Sequence, residues 1–273
     1  MNRHRKWTIL ISLIGAISVY SEPSHGAQSD PAATAEGAEY YLNGTIDGRS
    51  VPPAIDAIKR GIRRIRVRSL GGRTEPSIDL AEYILRYNVT VVVDGYCFST
   101  CASHLLIASA RPTLEPGAVI GFHQTMGVAA LFAIRYAHKF DISKYKILAQ
   151  RERAIYDARH VKWELIYLPE LLIRPVCIGL KTTDRKSPPD IAAYTSALLW
   201  IPDAAALNAL NLKIHGRLQS SLDEFLNDAS THIPNIRSQH YVFGLKGGQQ
   251  LPDPVVTASL LTTPFCPNRA PFQ

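Results

Sequence analysis

Between residues 40 and 123 the spacing of apolar positions changes repeatedly, and each change marks an element. Tyr40-Tyr41-Leu42-Asn43-Gly44-Thr45-Ile46 reads as a strand, with Gly44 a bulge or turn entry. Residues 53–60 have helical spacing and start on proline, which suits the first turn of a helix. Arg64-Ile65-Arg66-Val67-Arg68 alternates charged and β-branched residues, the period of two expected of a strand. Ser69-Leu70-Gly71-Gly72 breaks that period. Over 75–87, Ile78, Ala81, Ile84 and Leu85 share one face of an amphipathic helix. Residues 89–93 are almost wholly β-branched, as in a buried parallel strand. A turn is expected at Asp94-Gly95, then a helix over 99–109, then a short strand over 118–122 ending at His123.

Strand and helix therefore alternate, which favours parallel βαβ units and an α/β fold. The following chain reads as mostly helical, over 129–172, 191–199 and 203–210. Pro, Asn, Gln and Ser dominate after about residue 220. The main domain is expected over 39–217, and 218–273 reads as a loosely ordered tail or a peripheral cover.

Composition sharpens this picture in three places. Apolar residues make up 46% of the 273 and charged ones 19%, enough for a sizeable core and too few charges for a disordered chain. The net charge of +7 is dispersed except at Lys59-Arg60-Gly61-Ile62-Arg63-Arg64-Ile65-Arg66, which reads as a solvated helix end entering a strand. No nucleic-acid partner is expected. The amino terminus has the layout of a secretory signal peptide: basic Arg3, His4, Arg5 and Lys6, then an uncharged apolar run over 7–20 that is short for a membrane span. Residues 1–27 are read as that peptide, cleaved after Ala27 or near Ser21, and 28–38 as a linker. The mature protein is then exported, periplasmic or otherwise, and meets a membrane only if the segment is retained.

In an oxidising compartment Cys97, Cys101, Cys177 and Cys266 are disulfide candidates. Four cysteines allow three connectivities, and spacing does not choose among them. Cys97 and Cys101 flank Ser99, and the favoured reading ties this serine turn to other segments, Cys177 among them. A redox-sensitive thiol pair is the alternative. No second Cys/His pair with metal-like spacing accompanies them, so no metal is expected.

Three features fall at the carboxyl ends of successive predicted strands: Gly71-Gly72, Ser99 and His123. In a parallel sheet those ends share the edge where ligands bind. A serine hydroxyl is a weak nucleophile and needs a neighbouring base, for which histidine is the usual choice. Developing oxyanion charge needs backbone amides aimed at it, and glycines let a backbone approach closely. His104, His138, His160 and His215 are read as structural.

On these residues the stretch resembles the proteolytic subunit of the Clp protease, within the Clp/crotonase superfamily, and exported Clp-like bacterial proteins. Ser69-Leu70-Gly71-Gly72 is similar to the family's Ser-Pro-Gly-Gly. Gly95-Tyr96-Cys97-Phe98-Ser99 is similar to its Gly-x-Ala-Ala-Ser nucleophile turn, and His123-Gln124 to its His-Gln dipeptide. The resemblance covers residues 38–125, with an echo at Trp200-Ile201-Pro202-Asp203. It implies a ββα-spiral of parallel strands, each followed by a helix, with a helical C-terminal part. It further implies a serine peptidase with Ser99 as nucleophile and His123 as base. Gly72 and Thr100 amides would form the oxyanion hole; the substrate would be polypeptide, the assembly a homo-oligomer, and no cofactor would be needed. Three departures matter. Cys97 and Phe98 replace the two alanines, and the serine helix is one residue longer. No carboxylate occupies the place of the family's Asp, where Ala197 stands. Asp184, Asp190 or Lys139 are the third-partner candidates, with Lys144 and Lys146 on the same stretch. A Ser-His dyad, a Ser-Lys dyad and an inactive binding or assembly module remain open.

Overall fold

The computed structural model describes residues 38–123, 125–127, 130, 142–173, 175–179, 191–195 and 199–245. Its centre is a parallel sheet. β1 (Tyr40–Asn43), β2 (Arg64–Ser69) and β3 (Thr90–Phe98) lie side by side, and both β4 (Thr113–Leu114) and β5 (Val119–Gly121) pair with β3. β4 takes the first half of β3, through Val92 and Val93, and β5 takes the second, through Tyr96, Cys97 and Phe98. Two helices make the crossovers: α1 (Val51–Lys59) between β1 and β2, and α2 (Thr74–Arg86) between β2 and β3. The mixed α/β class with parallel strands thus stands.

Alternation in β2 sorts its side chains onto two faces. Ile65 and Val67 are fully buried beside Val91 and Val93, in one cluster with Ala54 and Ile58 of α1 and Ile78, Ala81 and Ile84 of α2. Arg64, Arg66 and Arg68 take the opposite face, where they meet acidic partners. Arg64 and Arg66 share Glu39, Arg66 also reaches Glu115 at 3.1 Å, and Arg68 lies 3.2 Å from Asp94. Such half-exposed pairs each contribute about 0–1 kcal/mol, so burial of the apolar face dominates.

The expected turn at Asp94-Gly95 is instead a bulge inside one long strand. Val67 pairs with Val93, yet Ser69, two residues on, pairs with Cys97, four residues on. Gly95 absorbs the extra length at φ +91°, a left-handed conformation cheap only for glycine. The strand therefore runs on to Phe98 and delivers Ser99 at its end.

Beyond the sheet, the stretch expected to be mostly helical over 129–172 contains α3 (Ile142–Ala158) and α4 (Glu164–Leu172), separated by a turn with His160 at φ +55°. Within the stretch 191–199 expected to be helical, the described residues 191–195 and 199 are strand. β7 (Ile191–Thr195) pairs antiparallel with β6 (Pro175–Gly179), and β8 (Leu199–Ile201) follows. Alanine-rich sequence favours helix locally, but pairing with a neighbouring strand overrides so weak a bias. α5 (Ala204–Ala209) starts at Asp203, whose carboxylate accepts from the Ala206 amide at 2.7 Å, a standard amino-terminal cap.

The chain after residue 218 contributes α6 (Leu222–Ser230) and β9 (Tyr241–Phe243), the latter parallel to β8. α6 opens with a reciprocal cap: Ser221 Oγ accepts from the Glu224 amide, and Glu224 accepts from the Ser220 amide. Phe225, Ala229 and Ile236 are buried with Phe98, Val119, Leu199 and Ile201 in a second apolar cluster. This segment therefore covers the sheet end from which Ser99 emerges. Among the described residues no helix is long and apolar enough to cross a membrane.

Candidate functional site

Ser99 sits at φ +57°. Among the described residues the other left-handed non-glycine positions are three asparagines, which tolerate that region, and His160. For serine the conformation costs about 1–2 kcal/mol, and strain of this kind concentrates at functional turns. Three contacts hold it. The Ser99 amide donates to the Gly121 carbonyl at 3.0 Å. The Ser99 carbonyl accepts from the Ser103 amide at 2.9 Å and from Ser103 Oγ at 3.0 Å.

The third contact is covalent: Cys97 and Cys101 form a disulfide with a Cα–Cα distance of 5.3 Å. The expectation that these cysteines tie the turn to other segments is corrected here, because they close the turn upon itself. Chain reversal at Ser99 brings the end of β3 and the start of the next helix within disulfide reach. The side chain of Cys177, and all of Cys266, lie outside the described residues. The helix after Ser99 is a π-helix over Cys101–Leu106, whose wider turn holds one residue more than an α-turn.

His123 lies two residues past the end of β5. Its Nε2 lies 2.5 Å from Ser99 Oγ, a short hydrogen bond between the two. The residue before it is fixed by antiparallel pairing: the Phe122 and Trp200 amides donate to each other's carbonyls at 2.9 and 2.8 Å. Trp200 is fully buried and its indole NH donates to the Gly244 carbonyl at 2.9 Å. Burial lowers the His123 pKa below that of a free imidazole, so the neutral ring, the form able to take a proton, is favoured near neutral pH. Among the described residues no hydrogen bond reaches His123 Nδ1.

The Gly71-Gly72 loop lies against the serine. A Cβ built on Gly71 would stand 2.7 Å from Ser99 Cβ and 3.1 Å from Ser99 Oγ. Gly72 runs beside Ile46 in a parallel bridge: the Ile46 amide donates to the Gly71 carbonyl at 3.0 Å, and the Arg73 amide donates to the Ile46 carbonyl at 2.7 Å. In that register the Gly72 amide faces away from Ile46. Neither the Gly72 nor the Thr100 amide has a backbone partner among the described residues.

Buried Ser69 holds this loop. Its Oγ donates to the Gly44 carbonyl at 2.6 Å and accepts from the Gly71 amide at 3.0 Å. Ser69→Ala leaves the buried Gly71 amide unsatisfied and frees the carbonyl of exposed Gly44, and is expected to cost about 1–3 kcal/mol. A urea titration checks this: the midpoint falls with an unchanged slope, whereas an unchanged midpoint would show that the loop is held elsewhere.

Sequence reasoning missed a second group of polar residues. His104, read as structural, is buried; its Nδ1 lies 2.7 Å from Ser77 Oγ and its Nε2 2.9 Å from Glu152 Oε1. Glu152 is fully buried and also accepts from the Met126 and Gly127 amides at 3.1 and 2.7 Å. The signal was present: Leu148, Glu152 and Ile155 fall at i, i+4 and i+7, so a carboxylate occupies the apolar stripe of α3.

The third-partner candidates divide differently. Lys144 lies at the surface, 2.7 Å from Glu75, and Lys146 is exposed. Lys139, Asp184 and Asp190 lie outside the described residues, as do Gln124 and the amino-terminal segment.

No protein-family model matches the chain, and no curated protein matches it. Among solved structures, the ClpP protease catalytic domain from Plasmodium falciparum is similar over 44% of this chain and 64% of that chain, less than two thirds of its length. The identity is 14% and the TM-score 0.32, a likeness too slight to assign the chain to a family.

Proposed function

We propose that the protein is a serine hydrolase of the peptidase type, in a fold of the Clp/crotonase kind. The observation that carries this reading is the 2.5 Å contact between His123 Nε2 and the hydroxyl of a serine held at φ +57°. Ser99 Oγ attacks the scissile carbonyl while His123 takes its proton. The carbonyl oxygen, now negative, is met by the Gly72 and Thr100 amides. His123 then returns the proton to the leaving amine, and water repeats the cycle on the acyl-enzyme. The substrate is polypeptide and copies self-associate, two parts that rest on the motif resemblance; export rests on the basic and then apolar layout of residues 1–27.

Labelling by a fluorophosphonate, which reacts with activated serines, tests the reading. The purified protein is expected to label at Ser99, and Ser99→Ala to remain unlabelled. Equal labelling of both overturns the assignment. A second reading, an inactive binding or assembly module of the same fold, draws on the lack of a described partner at His123 Nδ1. It is supported if the folded parent does not label at all.

A further inference from the structure

We infer that Glu152 is a positioning residue for His123, acting through the backbone that follows the base. The inference rests on the hydrolase reading above. In Ser-His-Asp enzymes a carboxylate orients the imidazole directly. Here the described residues offer His123 Nδ1 no such group, yet a fully buried carboxylate binds the segment starting three residues later. Glu152 Oε1 accepts from the Met126 amide at 3.1 Å and Oε2 from the Gly127 amide at 2.7 Å. Buried Thr125 adds a tether, its hydroxyl donating to the Ile166 carbonyl at 2.9 Å. The strand side is fixed by the Phe122–Trp200 pair. The base therefore sits between two anchored stretches.

The carboxylate has a second attachment that links base to nucleophile. Glu152 Oε1 also meets His104 Nε2 at 2.9 Å, and His104 belongs to the π-helix that begins two residues after Ser99. Ser77 on α2 holds the other side of the His104 ring at 2.7 Å, and Ser77 Oγ donates to the Thr74 carbonyl at 2.8 Å. α2 itself begins just after the Gly71-Gly72 loop. One buried carboxylate thus joins the segments carrying the base, the nucleophile and the glycine loop. Burying a carboxyl group is costly unless it is hydrogen-bonded. The three bonds offset that cost, and a side chain needed only for packing would have no reason to carry a carboxyl group.

The test measures the rate of fluorophosphonate labelling against pH, together with the thermal midpoint. Glu152→Gln keeps the shape but replaces an accepting oxygen by a donor that opposes an amide. It is expected to slow labelling about tenfold or more and to move the pH midpoint up towards that of a free imidazole, as the base loses its fixed, dehydrated position. His104→Leu with Glu152→Met removes the pair together, so neither partner is left buried without the other, and a urea titration of each variant checks that it is folded before its labelling is read. The double variant is expected to slow labelling in the same way. Arg151→Ala is the stability control: it breaks ion pairs to Asp79 and Glu82 on α2 at 2.7 Å, and lowers the thermal midpoint with the parent's labelling rate and pH midpoint. Parent-like rate and pH midpoint in folded Glu152→Gln or in the double variant overturn the positioning role. Failure of the hydrolase reading looks different, since the parent itself then fails to label or Ser99→Ala labels equally.

Discussion

Gly71→Ala is expected to destabilise the protein by about 2–5 kcal/mol and to abolish labelling of Ser99. Two costs combine. Gly71 has φ +99°, where any residue with a Cβ is strained by about 1–2 kcal/mol. The new methyl would also stand 2.7 Å from Ser99 Cβ and 2.8 Å from the Phe98 carbonyl, closer than real contacts allow. Neither neighbour yields easily, since Phe98 ends β3 and Ser99 is clamped by the Gly121 pairing and the Cys97–Cys101 bond. Overpacking of this kind costs about 1–3 kcal/mol. A thermal melt should fall by roughly 5–15 °C for a domain of this size. Because the displaced atoms are those of the serine, labelling is lost even in the folded fraction at low temperature. A variant that melts early but labels normally would show that the loop can withdraw from Ser99, contrary to this account.

His123→Ala is expected to slow labelling of Ser99 by on the order of 10²–10⁴-fold, the usual contribution of a general base. The parent's pH profile should identify the same group. Burial lowers the His123 pKa, and the base works only when neutral, so labelling rises with pH and reaches its plateau at lower pH than a free imidazole would give. Stability has the same sign. Between the folded and unfolded pKa values the unfolded chain binds more protons, so stability is complete above the unfolded value and declines as pH falls towards the folded one. In His123→Ala both dependences should flatten. A labelling midpoint at or above that of free imidazole would contradict the buried, neutral base.

Much of the fold and of the site was legible in the sequence because short-range physics wrote it there. Alternation in Arg64-Ile65-Arg66-Val67-Arg68 has one solution, a strand with one buried face, and the structure adds only which acids meet the arginines. That Ser99, His123 and Gly71-Gly72 lie together was legible because parallel βαβ order brings successive strand ends to one edge. The reading of Asp94-Gly95 as a turn failed because glycine serves turns and bulges alike, and only pairing to both β2 and β5 selects the bulge. The helical reading of 191–195 failed for a related reason, since strand formation there depends on a partner supplied by 175–179.

The sequence by itself determined the alternating α/β order, the apolar faces of α1, α2 and β2, and the serine at a strand end, all of them local patterns repeated every two or three to four residues. Only the tertiary structure decided that Cys97 meets Cys101, that Glu152 joins the segments around the site, and that residues 222–243 close over Phe98. The cysteine bond is local but needs the reversal at Ser99; the other two join positions far apart in the chain with no period between them, so those contacts exist only once the chain has packed.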